Sequence, residues 1–316
     1  MNIKKFIPIL EWLPNYNTAL FKGDLVAGIT VGIVLIPQGI AYALIAGLPP
    51  IYGLYCALFP QVLYAIFGTS RQVAIGPVAT DSLIVATGVS TMALAGSESY
   101  ISIAILLTLM VGVIQLIMGV FRLGFIVNFL SKPVITGFTS AVAIIIGFNQ
   151  FENLFGVDFI QTDKIHYLIE DIWHNLVDYN YHTMLIGLIS IFVISGFRKL
   201  NKKIPNALIV VVLGIITMKY FGKSFDNVSI VRDIPAGMPI FGFPEFDLDQ
   251  MRELLPIAFT LVMVGYLETI SIGKSLEAKQ DEYTIRPNQE LIALGLGNMV
   301  GSLFKAYPTA SSFSRS

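Results

Sequence analysis

Positions 25–70 form a run of 46 residues without a single Asp, Glu, Lys or Arg. A segment that long and that uncharged has no polar face to turn toward water. Pro49 and Pro50 divide it near the middle, because proline is excluded from helix interiors. Two helices of membrane-spanning length are therefore predicted, at about 25–46 and 51–67. Further uncharged runs lie at 82–97, 99–121, 133–151 and 179–197. Weaker ones lie at 204–218, 254–267 and 291–304, which makes nine predicted spans and the start of a tenth.

Composition agrees. The chain is 55% apolar and 13% charged, against roughly 45–50% and about 25% for soluble domains. Mean hydropathy is +0.73. These values exclude a water-soluble enzyme and a disordered chain. Twenty basic residues against 21 acidic ones leave no basic field for nucleic acid. The single cysteine, Cys56, permits no internal disulfide and no cysteine metal cluster. No phosphate-binding loop, histidine metal spacing or hydrolase elbow occurs, so neither enzymatic chemistry nor a cofactor is expected. His166, His174 and His182 lie in or beside an acidic loop and are expected to be solvent-exposed.

Residues 1–23 are expected to form a cytoplasmic or interfacial segment without a cleavable signal. Lys4 and Lys5 precede an apolar run, 6–10, that is too short and stops at Glu11. Trp12, Pro14 and Tyr16 suit headgroup depth, although an ordinary cytoplasmic tail remains an equal alternative. Asp24 reads as a helix cap. With the N-terminus inside, thirteen Lys and Arg fall in one set of loops and six in the other. That bias predicts a cytoplasmic N-terminus. The basic cluster Arg198, Lys199, Lys202 and Lys203 is then a positive-inside loop, and 152–178, with six acids and one lysine, an external one.

Two segments are irregular at membrane depth. Gly76-Pro77 cannot continue a helix from upstream, but proline suits a first helical position. Residues 71–76 are therefore predicted to be extended, with a half-helix starting at Pro77. The stretch around Tyr307-Pro308 repeats the design. A kinked continuous helix is the alternative for each. Non-helical backbone inside a bilayer is tolerated where it lines a cavity, and paired broken helices point to a transporter's central site. Their N-terminal N–H groups and positive dipole ends suit a small anion. Ser311, Ser312 and Ser314 offer hydroxyl donors, Arg315 a full charge, and Gln38 a neutral hydrogen-bonding group.

Two carboxylates lie within the spans. Glu268 reads either as a coupling site for a proton or sodium ion or as a structural partner for a basic group such as Arg315. Asp81 reads either as a stabiliser of the half-helix N-terminus or as a second proton-linked group. Pro37 is expected to kink the first helix.

The residues that carry chemistry also carry a resemblance. Trp12-Leu13-Pro14, Lys22-Gly23-Asp24, Ile36-Pro37-Gln38-Gly39 and Tyr42 resemble the sulfate permease (SulP) family. Ala46-Gly47-Leu48-Pro49-Pro50, Tyr52-Gly53-Leu54-Tyr55, Phe67-Gly68-Thr69-Ser70-Arg71, Gly76-Pro77, Glu268 and Tyr307-Pro308 through Ser316 do so too. The resemblance implies an all-α, polytopic, seven-plus-seven inverted-repeat fold with short extended segments before half-helices three and ten. It implies secondary active transport of an inorganic anion, sulfate first, by an elevator-type movement. Bicarbonate or dicarboxylate transport, an uncoupled anion channel and a non-transporting fragment are the alternatives. Carried over by position, Gly76, Pro77, Val78 and Ala79 would form the anion site with Ser311, Ser312, Phe313 and Ser314. Gln38 and Tyr42 would line it, and Glu268, with Asp81 beside it, would couple it to a proton or sodium ion. Asp81 departs from the family pattern, where an apolar or hydroxylated residue is expected. Residues 24–316 would be the transmembrane domain, cut within its tenth segment and lacking later spans and a STAS domain. A multi-pass location in the cell membrane follows, with a homodimer left open.

Overall fold

A computed structural model describes residues 6–129, 154–157, 179–200, 206–222, 234–279 and 283–316, with isolated positions at 137, 140, 144, 151, 225 and 228. Most of the predicted span 133–151, His166, His174, Lys4 and Lys5, and most of the loop 152–178 lie outside the described residues. So do the side chains of Arg198 and Lys199 and all of Lys202 and Lys203.

Among the described residues the chain is helical with one two-residue ladder. Its elements are α1 (Ile9–Trp12), a 3-10 turn (Leu13–Asn15), α2 (Thr18–Ile45), α3 (Pro50–Tyr55), α4 (Phe59–Phe67), β1 (Ile75–Gly76), α5 (Ala79–Val89) and α6 (Glu98–Val120). After a 3-10 stretch (Leu123–Phe129) follow α7 (Tyr181–Leu200), α8 (Asn206–Phe221), α9 (Leu248–Glu277), α10 (Pro287–Leu303) and β2 (Ala310–Ser311). Thr18–Ile45, Pro50–Phe67, Glu98–Val120 and Leu248–Glu277 are long and apolar enough to cross a membrane. The remaining apolar helices are shorter.

Several boundaries differ from the sequence reading. Asp24 does not cap the first helix. The Asn17 side chain does, accepting from the amides of Ala19 and Leu20 at 3.0 Å each. Asp24 lies about two turns farther in and accepts from the Tyr16 hydroxyl at 2.6 Å. The predicted helix 51–67 is two helices, because Pro60 in the first turn of α4 has no amide to continue the ladder from α3. The half-helix begins at Ala79 rather than Pro77, since the extended backbone of β1 continues through Val78 (φ −133°, ψ 151°). Pro37 and Pro256 both sit inside continuous helices. His182 is half-buried, its ring edge-on to Phe225 at 5.4 Å.

The structure divides into two compact units: Met1–Gly28, Gln38–Ile135 and Pro235–Ser316 form the first, Ile29–Pro37 and Thr136–Ile234 the second. In the second, α7 packs on α8. In the first, α10 lies against α6 and α4, while α9 lies against α6, α5 and β2. Its core is built from Leu106, Leu107, Leu254, Leu261 and Leu291, with Tyr100 and Tyr266 fully buried. Each tyrosine hydroxyl meets a carbonyl at 2.7 Å, that of Ala46 and of Gly124 respectively, as burial of a phenol requires. Glycines let α6 and α10 touch backbone to backbone. A Cβ at Gly112 would stand 2.5 Å from the Met299 amide, and one at Gly295 2.6 Å from that of Leu116. Between membrane helices, where burial against lipid supplies little driving force, such close approach is the main source of association.

Candidate functional site

The two irregular segments pair with each other. β1 and β2 are antiparallel, with Ile75 opposite Ser311 and Gly76 opposite Ala310. The Ser312 amide donates to the Ala74 carbonyl at 3.1 Å, and the Ala74 amide to the Ser316 hydroxyl at 3.0 Å. The Ile75 amide donates to Gln61 of α4 at 2.7 Å. Residues 73–78 and 306–312 are buried throughout. Backbone this irregular can be buried only because its polar groups find such partners.

The pairing brings two chain starts together. α5 leaves β1 with its first-turn amides unmatched within the helix, and its cap residue Val78 has no side chain to meet them. After β2 the chain turns at once: the Arg315 and Ser316 amides reach back to the Ser312 carbonyl at 3.4 and 3.1 Å. The first turn of α5 and the turn after Ser312 thus both adjoin one buried ladder.

Arg315 is 6% exposed; its Nη1 donates to Gln38 Oε1 at 3.2 Å, while Nε and Nη2 have no hydrogen-bond partner. Tyr42 and Tyr307 are within electrostatic range of the same guanidinium. Ser311 and Ser312 are buried; the Ser311 hydroxyl is bonded to Thr269 of α9 at 2.7 Å, and that of Ser312 to Ser314 at 3.0 Å. Phe313 and Ser314 are exposed.

Asp81 occupies the first turn of α5, 2% exposed, and its Oδ1 has no partner. Glu268 of α9 is half-buried, takes Thr80 as its hydrogen-bond partner and interacts electrostatically with Asp81. Glu268 does not pair with Arg315; the ion pairs among the described residues include Arg252–Asp249, Lys274–Glu277 and Arg286–Glu11. Arg315 has a neutral partner instead, which leaves its charge uncompensated. No group of His, Cys, Asp and Glu among the described residues is arranged to hold a metal ion.

Sequence reasoning missed the side chains that hold this arrangement. Asn298 of α10 is fully buried: its Oδ1 accepts from the Thr309 amide and hydroxyl, both at 2.9 Å. Its Nδ2 donates to Gln115 at 3.0 Å and to the Thr309 carbonyl at 3.1 Å. The Tyr307 hydroxyl meets that of Ser82 at 3.1 Å, and the Tyr307 amide meets the Cys56 sulfur at 3.2 Å. A buried asparagine in an apolar helix was the one visible signal, since its amide must find partners.

Known proteins with similar sequences and folds give the arrangement a context. The sulfate permease family model matches residues 21–316. The chain is 41% identical over 323 residues to the chloroplastic sulfate transporter 4.1 of Arabidopsis thaliana, covering 99% of this chain and 47% of that protein. It is 35% identical over 352 residues to the sodium-independent sulfate anion transporter of Bos taurus, covering 99% and 56%. The chain spans about half the length of the curated relatives it matches. Among solved structures, the murine Slc26a9 anion transporter in its inward-facing state superposes with a TM-score of 0.90 at 28% identity, covering 99% of this chain and 55% of that one. The transmembrane domain of the cyanobacterial bicarbonate transporter BicA shares the fold, with a TM-score of 0.82 at 23% identity over 95% and 77% of the two chains. With its apolar helices and its paired broken segments, this multi-pass membrane chain belongs to the sulfate permease family.

Proposed function

We propose that the chain carries the anion site of a secondary active transporter, with sulfate as its substrate. The observation that carries this reading is the convergence at β1 and β2: uncapped amides of α5, the turn after Ser312, and Arg315 with two unpartnered nitrogens. An unpaired guanidinium at membrane depth costs about 2.5–3.5 kcal/mol on insertion scales, and a bound anion offsets that cost. The segments Gly76, Pro77, Val78 and Ala79 and Ser311 to Ser314 then surround the anion through those of their amides that the ladder leaves free, with Gln38 and Tyr42 beside it. Pro77 has no amide and acts by directing the chain.

Transport proceeds by elevator-type alternating access within a seven-plus-seven inverted repeat, of which residues 24–316 are part. Glu268 and Asp81 take up the coupling proton or sodium ion. A carboxylate near an anion repels it, so occupation of this pair by a cation favours anion binding, which is the electrostatic basis of symport. The N-terminus is cytoplasmic and the membrane is the cell membrane. The sulfate transporters and the Slc26a9 structure support the anion reading through their names and the shared fold.

Labelled-sulfate uptake into proteoliposomes containing the purified chain tests this, with imposed proton and sodium gradients and with bicarbonate and succinate as competitors. Saturable uptake driven by one gradient is expected, and Glu268→Gln should abolish the gradient dependence while leaving sulfate binding. Flux that ignores both gradients before and after that substitution would mean an uncoupled channel. Stronger competition by bicarbonate or succinate would reassign the substrate, and no binding at all would end the reading.

A further inference from the structure

We propose that Glu290, a carboxylate outside both broken segments, is a positioning residue that holds the turn feeding β1 and thereby sets the anion site. The inference rests on the anion reading above for its functional consequence, but its geometry stands independently.

Glu290 lies in the first turn of α10 and is 1% exposed. Its oxygens accept from three neutral donors: the Tyr64 hydroxyl at 2.6 Å, the Thr69 amide at 2.8 Å, and the Thr69 hydroxyl. The Thr69 hydroxyl accepts in turn from the Arg286 amide at 3.2 Å. The preceding residue, Gln289, donates to the Phe67 carbonyl at 2.8 Å. Tyr283 meets Ser70 at 3.1 Å and donates to Gln72, and the Arg71 guanidinium lies over its ring at 5.7 Å. Residues 67–72, the turn between α4 and β1, are thus gripped along their length by 283–290.

Neutral substitutes would not serve equally. A buried carboxylate presents acceptors only, which matches a site whose facing groups are all donors. A glutamine of the same shape must aim an NH2 at one of them. The charge itself is tolerated because the helix N-terminus of α10 and three donors surround it. The same helix, eight residues on, holds Thr309 through Asn298. α10 therefore grips the approach to β1 with its first turn and the approach to β2 with its middle. The two grip points, Glu290 and Asn298, stand eight residues apart on α10, about 12 Å at 1.5 Å per residue.

Hydrogen exchange across residues 68–76, measured with sulfate affinity on the purified full chain, tests this. Glu290→Gln and Thr69→Val should each raise exchange across 68–76 and weaken sulfate binding about tenfold, the scale of one charge-assisted bond. Thr69→Ser, which keeps amide and hydroxyl, should behave as the parent. The double variant should be no weaker than Glu290→Gln alone, because both changes break one interaction. A purely structural role would lower the melting temperature and leave affinity in place. The proposal is overturned if the folded variants keep exchange and affinity within about twofold of the parent, or if affinity falls while exchange at 68–76 does not change. Should Glu290→Gln fail to fold, the Thr69 pair decides by the same criteria. If the parent chain binds no sulfate, the anion reading fails and the exchange response alone decides the positioning claim.

Discussion

Arg315 and Asn298 illustrate two ways a buried polar side chain can matter. Arg315 has a single neutral partner and two unpartnered nitrogens, so its charge is available to a ligand. Replacing it with Gln removes charge-assisted bonds worth about 1.5–3 kcal/mol each. Sulfate affinity measured by titration should fall at least about tenfold, with the melting temperature unchanged or raised. Asn298 is the opposite case, with every polar atom engaged. Asn298→Leu would strand Gln115 and the backbone of Thr309, at about 1–3 kcal/mol for each group left unmet. Thermal or denaturant unfolding should show that loss whether or not sulfate is present. At this scale the sequence was half legible. Arg315, Asp81 and Glu268 stand out because charge is scarce in apolar runs. Glu290 was hidden because it stands at the edge of the run 291–304, where a carboxylate normally means the end of a span.

At the scale of elements, helix positions were largely readable and helix contacts were not. Uncharged runs located α6, α7, α8 and α10 to within about four residues, whereas α2 begins at Thr18, seven residues before its run. Gly-Pro and Tyr-Pro marked where backbone turns irregular, since proline's missing amide is a local property. That the two irregular pieces pair in one register is not local, because a two-residue ladder has no pattern of its own. The same holds for the α6–α10 contact. Twenty-seven glycines occur in the chain, and nothing in sequence separates Gly295, which meets the Leu116 backbone, from Gly28, which has nothing within 4 Å. Gly295→Val should therefore destabilise the fold by about 3 kcal/mol, the upper range for overpacking, and broaden its size-exclusion profile. Gly28→Ala should be neutral or stabilise by up to about 1 kcal/mol through helix propensity, measured on the same melting curves.

At the scale of the molecule, orientation is the property with the simplest test. Cys56 is fully buried, so the parent is a blank for thiol reagents. With the N-terminus inside, Lys22→Cys should react with an impermeant maleimide in inverted vesicles only, and Glu98→Cys in right-side-out vesicles only. The reverse pattern would invert the proposed topology. By itself the sequence determined the environment, the approximate spans and the places where helix must fail, because hydropathy, charge and proline act on their own neighbourhood. Tertiary structure decided that residues 75–76 and 310–311 form one ladder, that Arg315 faces Gln38 rather than Glu268, and that α10 ties both segments together. All but the Asn298–Thr309 contact are matches of hydrogen-bond donors to acceptors across more than two hundred residues of chain. Only a folded backbone brings such groups within 3 Å of each other.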